Sequence, residues 1–233
     1  MRLYCGEAYS RGVHPLTESW PTSPEEARRL QERLRDQVVT EDRLGPVRAV
    51  AGADAHYAPV QGLTWAAAVI ATFENLELEE SVLACQRTAF PYVSGLLSFR
   101  EAPTMLDALA RLSRTPDLLL VDGQGIAHPR RLGLASHVGL LADIPTIGVA
   151  KTRLVGRYEE PGPARGAWSP LLHRREVVGA VLRTRPGTRP LFVSPGHRVG
   201  LSTAIDLVLR CTPRFRLSEP IRLADRLSRE HAP

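Results

Sequence analysis

Lysine is almost absent from this sequence. The 233 residues include 30 basic side chains, and all of them except Lys151 are arginine. A single lysine can survive by chance, or it can stand where the broad, planar guanidinium of arginine cannot replace a compact ammonium. Composition leaves both explanations open. The position of Lys151 relative to other polar residues is the evidence that can distinguish them.

Cysteine and long apolar runs are also scarce. Cys5, Cys85 and Cys211 are isolated, so the sequence indicates neither a zinc site nor a disulfide framework. The most apolar run, residues 65–71, is too short to cross a bilayer, and the first residues, MRLYCGEAYSRG, contain no apolar signal core. We therefore expect a cytoplasmic protein with no membrane partner.

The third glycine of a dinucleotide-binding loop is missing. In VDGQGIAHPRR, residues 121–131, Gly123 and Gly125 follow an apolar run as in the G-x-G-x-x-G fingerprint, but His128 occupies the third position. The second predicted parallel strand also ends at Lys151 rather than at an acid. These departures argue against a nicotinamide-dependent oxidoreductase, which a failure to bind NAD would exclude.

The charge balance favours a polyanionic partner. The formal net charge is +5 and the isoelectric point is near 9.5. A surplus of this size also occurs in proteins that bind no nucleic acid, so it is weak evidence by itself. No linker, repeat or low-complexity tract is evident. We expect one domain over residues 1–233, with residues 1–20 and 226–233 as candidates for peripheral segments.

The order of predicted elements indicates an α/β fold. A capping box at Ser23 begins an amphipathic helix. Three β-like runs then form an antiparallel meander, and after a helix comes a strand–helix–strand unit that predicts a parallel pair of strands. After the first helix, the predicted elements span residues 47–55, 64–72, 81–88, 103–113, 118–121, 130–141, 146–150, 176–184, 191–194, 202–211 and 220–229. This order is found in ribonuclease H-like domains, and we expect a mixed sheet flanked by helices.

Asp122 and Lys151 are the first residues past the two predicted parallel strands. Ligands of open α/β sheets bind beyond the carboxyl ends of such strands, so this position favours a functional role for the solitary lysine. Asp54 interrupts the small, apolar run AVAGADA, where a charge is costly unless it is paired or binds a metal. A water-facing edge position for Asp54 and a hydrogen-bonding loop role for Asp122 are the alternatives.

Glu101 is a third candidate acid, although a charge ahead of a helix is also favoured by the helix dipole. Three carboxylates from separate segments, without a cluster of cysteine or histidine, suit a hard cation such as Mg²⁺. In a basic protein this cation points to phosphate chemistry. The ion stabilises charge on a phosphodiester oxygen and activates water, and a lysine can balance the developing anion.

Two long motifs resemble those of the endonuclease V family. They are FPYVSGLLSFREAP, residues 90–103, and VDGQGIAHPRRLGLASHVGLLADIPTIGVAKTRLVG, residues 121–156; AGADAHY, FVSPGHRVG and SEPIRLAD also fit. The resemblance covers about residues 21–225. It implies a ribonuclease H-like fold and an endonuclease that uses Mg²⁺, or Mn²⁺ in its place, in DNA repair. Such an enzyme recognises inosine and hydrolyses the second phosphodiester bond 3′ to it, leaving 3′-hydroxyl and 5′-phosphate ends.

Residue by residue, the resemblance implies a catalytic set and a substrate-binding set. Asp54, Glu101 and Asp122 are the metal-binding acids, and His128 and Lys151 lie near the scissile phosphate. The substrate-binding set comprises a wedge that enters the minor groove, a pocket for the flipped base and contacts to phosphates. The wedge is formed by Pro91, Tyr92, Val93 and Ser94. The pocket is formed by Gly95, Leu97, Gly123 and Gly133, and the phosphate contacts come from Arg130 and Arg131.

Three positions depart from the family pattern. Ser94 replaces the proline that often ends the wedge, which leaves the wedge less rigid. His56 stands where many relatives carry a small or hydroxyl residue. Asp225 replaces a histidine that can approach a metal in some members, so it is a candidate metal ligand, with a helix-surface carboxylate as the alternative.

The sequence leaves alternatives open for the substrate and for the class of activity. Inosine-containing RNA is as compatible with one sequence as inosine-containing DNA, because contacts to a 2′-hydroxyl cannot be identified in it. A nucleic-acid-binding module without hydrolysis is the rival from another class, and binding without metal-dependent cutting would favour it. We expect a monomer.

Overall fold

The computed structural model describes residues 20–230 and the backbone of residues 2–5. The strands are β1 (Arg2–Cys5), β2 (Ala49–Ala58), β3 (Leu63–Thr72), β4 (Leu78–Arg87), β5 (Leu118–Val121), β6 (Thr146–Ala150), β7 (Trp168–His173), β8 (Glu176–Leu182) and β9 (Leu191–His197). The α-helices are α1 (Pro24–Leu34), α2 (Leu97–Ala110), α3 (Leu134–Ala142), α4 (Leu201–Arg210) and α5 (Glu219–Glu230). No helix in this part of the chain combines the length and apolar character that a membrane crossing requires.

One sheet confirms the expected mixed α/β architecture. Its strand order over the described residues is β1-β4-β3-β2-β5-β6-β9-β8-β7. Strands β2, β3 and β4 form the predicted antiparallel meander, and β5 lies parallel to both β2 and β6. The carboxyl ends of β2, β5 and β6 therefore lie together at one end of the sheet.

Side-chain alternation assigns each residue of β2 to one face of the sheet. Ala53 packs with residues of α2 and α3, whereas Val50 packs with residues of α4 and α5. Gly52 lies on the same face as Val50, and α5 comes so close that a Cβ on Gly52 would stand 2.2 Å from the carbonyl carbon of Pro220. Asp54 is the next residue on this face and therefore points toward α5.

Helix α2 begins earlier than the sequence pattern predicts. It starts at Leu97 rather than at residue 103, so Glu101 lies within the helix and not ahead of it. Pro103 lacks the N–H that would bond to the carbonyl of Phe99. The indole of Trp20 donates to that carbonyl instead, at 2.8 Å. A distant side chain thus satisfies the acceptor that the proline leaves free, and the helix continues through it.

Other differences from the predicted elements also have local causes. Strand β7 was not predicted, because it contains Pro170; as an edge strand it can accommodate a residue without an N–H. Helix α3 begins at Leu134 rather than at residue 130, because the chain first forms a turn in which Arg131 has a φ of 59°. The pattern also missed β1.

Cys85 takes part in a disulfide, which the cysteine spacing did not indicate. The backbone of β1 runs parallel to β4 with Cys5 opposite Cys85 in register. A pairing between strands this far apart in sequence leaves no local signal. Cys211 is free and buried, and burial raises the pKa of its thiol to about 12, so it behaves as an inert core residue.

We expect Gly52→Ala to destabilise the protein by about 1 to 3 kcal/mol, because the added methyl would force α5 away from β2. Gly45→Ala is the matched control, since no atom lies within 4 Å of a Cβ at that position. Urea unfolding of both variants measures the difference. Parental stability of Gly52→Ala would contradict the close packing of α5 on the sheet.

Candidate active site

Asp54 and Asp122 lie side by side where β2 and β5 bring their carboxyl ends together. Ala53 and Val121 are register partners in this parallel pair, so the following residue of each strand carries a carboxylate at the same level. The N–H of Asp122 donates to the carbonyl of Ala53 at 3.1 Å. Asp54 does not occupy a water-facing edge, because only 8% of it is exposed.

Helix α5 brings a third carboxylate to this pair. One oxygen from each of Asp54, Asp122 and Asp225 lies within 4.8 Å of the other two, and we call these residues the acidic cluster. Ser228 lies three residues further along the same face of α5, and its hydroxyl donates to Asp54 Oδ2 at 3.0 Å. Residues 226–230, expected to be peripheral, are therefore part of a helix that builds the site.

Lys151 lies directly against the acidic cluster. Its ammonium nitrogen is 2.5 Å from Asp122 Oδ2 and 2.9 Å from Asp225 Oδ1. Partial burial lowers the pKa of Lys151, but hydrogen bonds and attraction to the two carboxylates outweigh burial and raise it. The lysine is therefore charged at neutral pH. Its own carbonyl accepts a hydrogen bond from Arg216 at 3.3 Å, which restrains the loop that carries it.

The acidic cluster has the donor set of a divalent metal site. Burial, followed by the charge of Asp122, raises the pKa of Asp54 to about 7. Burial also raises the pKa of Asp122, although Lys151 partly lowers it. Buried carboxylates in contact cannot all ionise freely, so they favour additional positive charge. Oxygen ligands without thiolate or imidazole suit a hard cation, and these three residues could hold one.

Glu101 approaches the same end of the sheet from the other face. It lies on α2, which packs on the side opposite α5. Burial and then the charge of Asp54 raise the pKa of Glu101 to about 8, while Arg100 partly lowers it. Glu101 is thus close enough to feel the acidic cluster, but it is not one of the three residues whose oxygens converge.

A cavity of about 420 Å³ opens beside the acidic cluster. Asp122 and Lys151 line this cavity, and so do Tyr92, Val93 and Ser94 of the predicted wedge. The ring of Tyr92 is available for contact, since 69% of the residue is exposed. Pro91 is exposed at the start of the wedge. The four predicted pocket residues also line the cavity: Gly95, Leu97, Gly123 and Gly133.

Two helices begin at the cavity wall. Helix α2 starts after Leu96 and α3 after Gly133, and neither residue supplies a side-chain hydrogen bond to the first turn. Phe99 and Ala135 already donate to the carbonyls of Leu96 and Gln124, at 3.1 and 2.9 Å. The remaining first-turn N–H groups, at Leu97, Ser98 and Leu134 beside the cavity, together with the helix dipole favour hydrogen-bond acceptors. The cavity therefore offers backbone donors to an acceptor-bearing ligand. Gly133 also serves packing, because a Cβ there would stand 2.3 Å from the carbonyl oxygen of Gln124.

The carbonyl of Gly95 ties the wedge to residues 122–133, which we call the DGQG loop. It lies within hydrogen-bonding distance of three side-chain nitrogens: His128 Nε2 at 2.9 Å, Arg130 Nη2 at 2.8 Å and Gln31 Nε2 at 3.1 Å. Arg130 Nε also donates to Gln31 Oε1 at 2.5 Å. These bonds fix the end of the wedge relative to the loop and to α1.

His128 is a buried, neutral side chain. Only 3% of it is exposed, and burial followed by the charge of Arg130 lowers its pKa to about 4. The N–H of Arg130 donates to His128 Nδ1 at 3.2 Å, which places the imidazole proton on Nε2, facing Gly95. His128 also lines the cavity with Asp122 and Lys151, and its place near the scissile phosphate stays a prediction.

The two arginines of the DGQG loop are also engaged within the protein. Arg130 bonds to Gly95 and Gln31, as described above. Arg131 donates to Glu176 Oε2 at 2.7 Å and to the carbonyl of His128 at 2.9 Å. Neither guanidinium is simply a free contact for phosphate, and each connects the loop to another element.

Ser228, Gln31 and Arg216 belong to the site but were not predicted from the sequence. Gln31 had a usable signal, because it lies on the apolar side of α1, between Leu30 and Leu34, and is only 1% exposed. Ser228 is three residues from Asp225 on a helix, which is a same-face spacing. Arg216 had no signal, since nothing in its local sequence separates it from the other arginines.

The chain matches the family model for Endonuclease V over residues 32–226. Endonuclease V of Nostoc sp. is 54% identical over 210 residues, which cover 90% of this chain and 95% of that protein. The crystal structure of endonuclease V from Streptomyces avermitilis has a TM-score of 0.87 at 45% identity, covering 91% of this chain and 94% of that one. A third relative is Ciona intestinalis endonuclease V in complex with a 23mer DNA containing an inosine followed by a ribo-adenosine. Its structure has a TM-score of 0.79 at 30% identity, and the match covers 89% of this chain and 96% of that one.

These matches span the acidic cluster, the wedge and the DGQG loop. They also show that the mixed sheet with its flanking helices is a ribonuclease H-like fold. The chain therefore belongs to the endonuclease V family and is a nuclease, a hydrolase of phosphodiester bonds.

Proposed function

We propose that this nuclease recognises inosine, the product of adenine deamination, in DNA and hydrolyses the second phosphodiester bond 3′ to it, leaving 3′-hydroxyl and 5′-phosphate ends. The observation that carries the proposal is a single cavity lined both by Asp122 and Lys151 and by a wedge with an exposed aromatic ring. Such a cavity couples base recognition to hydrolysis. The C. intestinalis relative in complex with inosine-containing DNA supports the substrate.

The acidic cluster would hold Mg²⁺, with Glu101 as a neighbouring acid, and Mn²⁺ could take the same oxygen ligands. When bound, the ion stabilises charge on a phosphodiester oxygen and lowers the pKa of an attacking water. Ser228 orients the carboxylate of Asp54 through its hydrogen bond. Lys151 provides a positive charge, already held by Asp122 and Asp225, that can balance the anion developing on the phosphate.

The cavity would receive the flipped hypoxanthine. Tyr92 can fill the gap that an extruded base leaves in the stack. The backbone N–H groups at the starts of α2 and α3 can donate to acceptor atoms on the base edge. Because three side chains hold the carbonyl of Gly95, the wedge keeps its position even though Ser94 replaces proline.

His128 and Arg130 act in this proposal as positioning residues. A neutral imidazole cannot balance phosphate charge, but its Nε2–H holds the end of the wedge through Gly95. Arg130 shares that carbonyl and links it to α1 through Gln31. Arg131 connects the same loop to Glu176 at the start of β8. The three residues therefore keep the base pocket and the wedge in one arrangement.

Inosine-containing RNA is the second candidate substrate. The ribo-adenosine that follows the inosine in the C. intestinalis complex favours it, because a ribose at that position is accommodated by that relative. The proposal also includes the cytoplasmic, monomeric state expected from the sequence. Gel filtration with light scattering tests the monomer.

Matched DNA and RNA oligonucleotides, each with and without one inosine, test the function. We expect cleavage of the inosine DNA only when Mg²⁺ is present, at the second phosphodiester bond 3′ to the inosine, with 5′-phosphate on the downstream product. Product ends and position are measured by denaturing gels against synthetic markers. Binding of inosine DNA without metal-dependent cutting would overturn the proposal in favour of a binding module. Cutting of RNA alone would assign the RNA activity instead.

Asp54→Asn should abolish cleavage and, in metal-free buffer, raise the melting temperature more at pH 8 than at pH 5. The pKa of Asp54 is about 7 in the folded protein, above the unfolded value of about 3.9. The folded state therefore binds more protons between these values, so ionisation of Asp54 lowers stability as pH rises from about 4 to 7. Asparagine has no charge to lose.

Asp206→Asn, on the exposed side of α4, is the matched control and should change neither property. Thermal unfolding at both pH values and single-turnover cleavage measure the two effects. A lower melting temperature for Asp54→Asn at pH 8, or cleavage at the parental rate, would contradict the role given to this carboxylate.

Lys151→Arg should slow single-turnover cleavage about 10²- to 10³-fold, the effect of removing one preorganised oxyanion donor. Arginine keeps the charge, but its planar fork cannot occupy the same point between Asp122 and Asp225. Substrate affinity should change much less than the rate. Arg226→Lys, an exposed exchange on α5, is the control. A parental rate for Lys151→Arg would show that the solitary lysine survived by chance.

A further inference from the structure

Four exposed arginines lie in the segment after Lys151 and in the turn of the edge strand β7 with which that segment pairs. They are Arg153, Arg157, Arg174 and Arg175, and we call them the arginine stripe. Arg153 lines the cavity, in the loop that follows Lys151. Arg157 pairs through its backbone with Leu172 of the edge strand β7, with N–H to carbonyl distances of 2.8 and 2.9 Å.

The stripe ends at the turn between β7 and β8. His173 and Glu176 are register partners, so Arg174 and Arg175 form a two-residue hairpin turn. Both have left-handed backbone conformations, with φ of 55° and 69°. Such turns favour Asn-Gly, because residues with a larger side chain are disfavoured in this region. The sequence thus places two arginines at turn positions whose backbone conformation disfavours arginine.

None of the four guanidinium groups has a carboxylate within 4.0 Å among residues 20–230. Two of the carboxylates nearby in sequence are already used: Glu176 pairs with Arg131, and Glu160 with Arg183, each at 2.7 Å. Glu159 is exposed and forms no ion pair with the stripe. Arg153 instead lies over the ring of Tyr158, 5.7 Å from its centre. Glu176, already paired with Arg131, also attracts Arg174 at longer range. The stripe therefore presents positive charge that no ion pair among the described residues neutralises.

The hairpin is held firmly to the DGQG loop. Arg131 donates to Glu176 Oε2 at 2.7 Å and to the carbonyl of His173 at 3.2 Å. The two residues that flank the arginine turn are therefore fixed relative to the loop that lines the base cavity. A ligand that occupies the cavity and extends along this edge would meet the stripe at a set distance.

We propose that the arginine stripe binds backbone phosphates of the nucleic acid that flanks the recognised base. The nature of the ligand rests on the proposed function, whereas the surface lies outside the acidic cluster and the wedge. Exposed arginines without an ion-pair partner, in segments tied to the loop that lines the base cavity, match a chain of phosphates in charge and in hydrogen-bond donors. Strained backbone at the turn is consistent with a binding role for its side chains.

The test is the double variant Arg174→Asn with Arg175→Gly. It removes two charges and supplies the residues that the turn favours, so we expect the melting temperature to rise while binding weakens. In buffer without divalent cations, we expect the Kd for a 30-base-pair inosine duplex to rise about tenfold near 0.1 M salt, and the slope of log Kd against log salt to fall by about 0.9 for each phosphate that the variant no longer neutralises. A Kd and slope equal to those of the parent would overturn the proposal.

Two controls separate the stripe from general charge. Arg174→Lys with Arg175→Lys keeps the charge, and its Kd should stay within about twofold of the parent. Arg43→Gln with Arg48→Gln removes two exposed arginines before β2, at the end of the sheet opposite the acidic cluster. This pair should leave Kd nearly unchanged. An equal weakening from the Arg43 and Arg48 pair would overturn the proposal, because the effect would then follow net charge and not the stripe.

Shortened duplexes locate the phosphates involved. The variant Arg174→Asn with Arg175→Gly is compared with the parent on inosine duplexes cut back on either the 5′ or the 3′ side. On one of the two duplexes it should bind as the parent does, because the phosphates that reach the stripe are then missing. An undiminished defect on both would overturn the flanking contact. These measurements need only binding, so a parent that binds the duplex but fails to cut at inosine would refute the proposed function and leave the stripe supported by its own result.

Discussion

Buried negative charge at the ends of β2 and β5 is the constraint on which the rest of this structure depends. Register places Asp54 and Asp122 side by side, and alternation turns both toward α5. Neither carboxylate can keep its charge there without a counter-charge. Lys151 at the end of β6 supplies positive charge, and Ser228 on α5 supplies a hydrogen bond. Because the pKa of Asp54 is still raised, these partners stabilise only part of the negative charge. The negative charge that these partners leave unbalanced makes the cluster suited to a cation.

The shape of the base cavity depends on several hydrogen bonds that one carbonyl, that of Gly95, accepts. His128, Arg130 and Gln31 reach Gly95 from the DGQG loop and from α1. Because His128 is neutral, it can lie buried beside Arg130 without a large electrostatic penalty. The wedge can then remain exposed while its end is fixed. Short polar contacts at Gly95 thus act together with apolar packing of Phe90, Val93 and Leu96 to hold the wedge against the cavity.

Arginine has two distinct uses in this chain. Arg131, Arg183 and Arg216 use their several donors to join loops and strands, each through carbonyls or a carboxylate of the protein. The arginine stripe has no such carboxylate partners within the described residues. Lysine appears once, where a compact ammonium fits between Asp122 and Asp225. The forked contacts of Arg131, Arg183 and Arg216 and the point charge of Lys151 are thus different uses of a basic side chain.

Apolar periodicity and capping are local, so the sequence predicted the order of β2 to β6, β8, β9 and the five helices but gave no signal for β1 and β7. Strand β5 and strand β6 have the predicted bounds, and Asp122 and Lys151 lie next to each other because a βαβ unit joins them. Long-range contacts decided the rest. The start of α2 depended on Trp20 covering the carbonyl freed by Pro103. The neutral state of His128 depended on burial by the wedge, and the place of Asp225 depended on α5 packing against β2 at Gly52. Hydrogen bonds and burial between distant segments leave no period in the sequence, so only the tertiary structure could decide them.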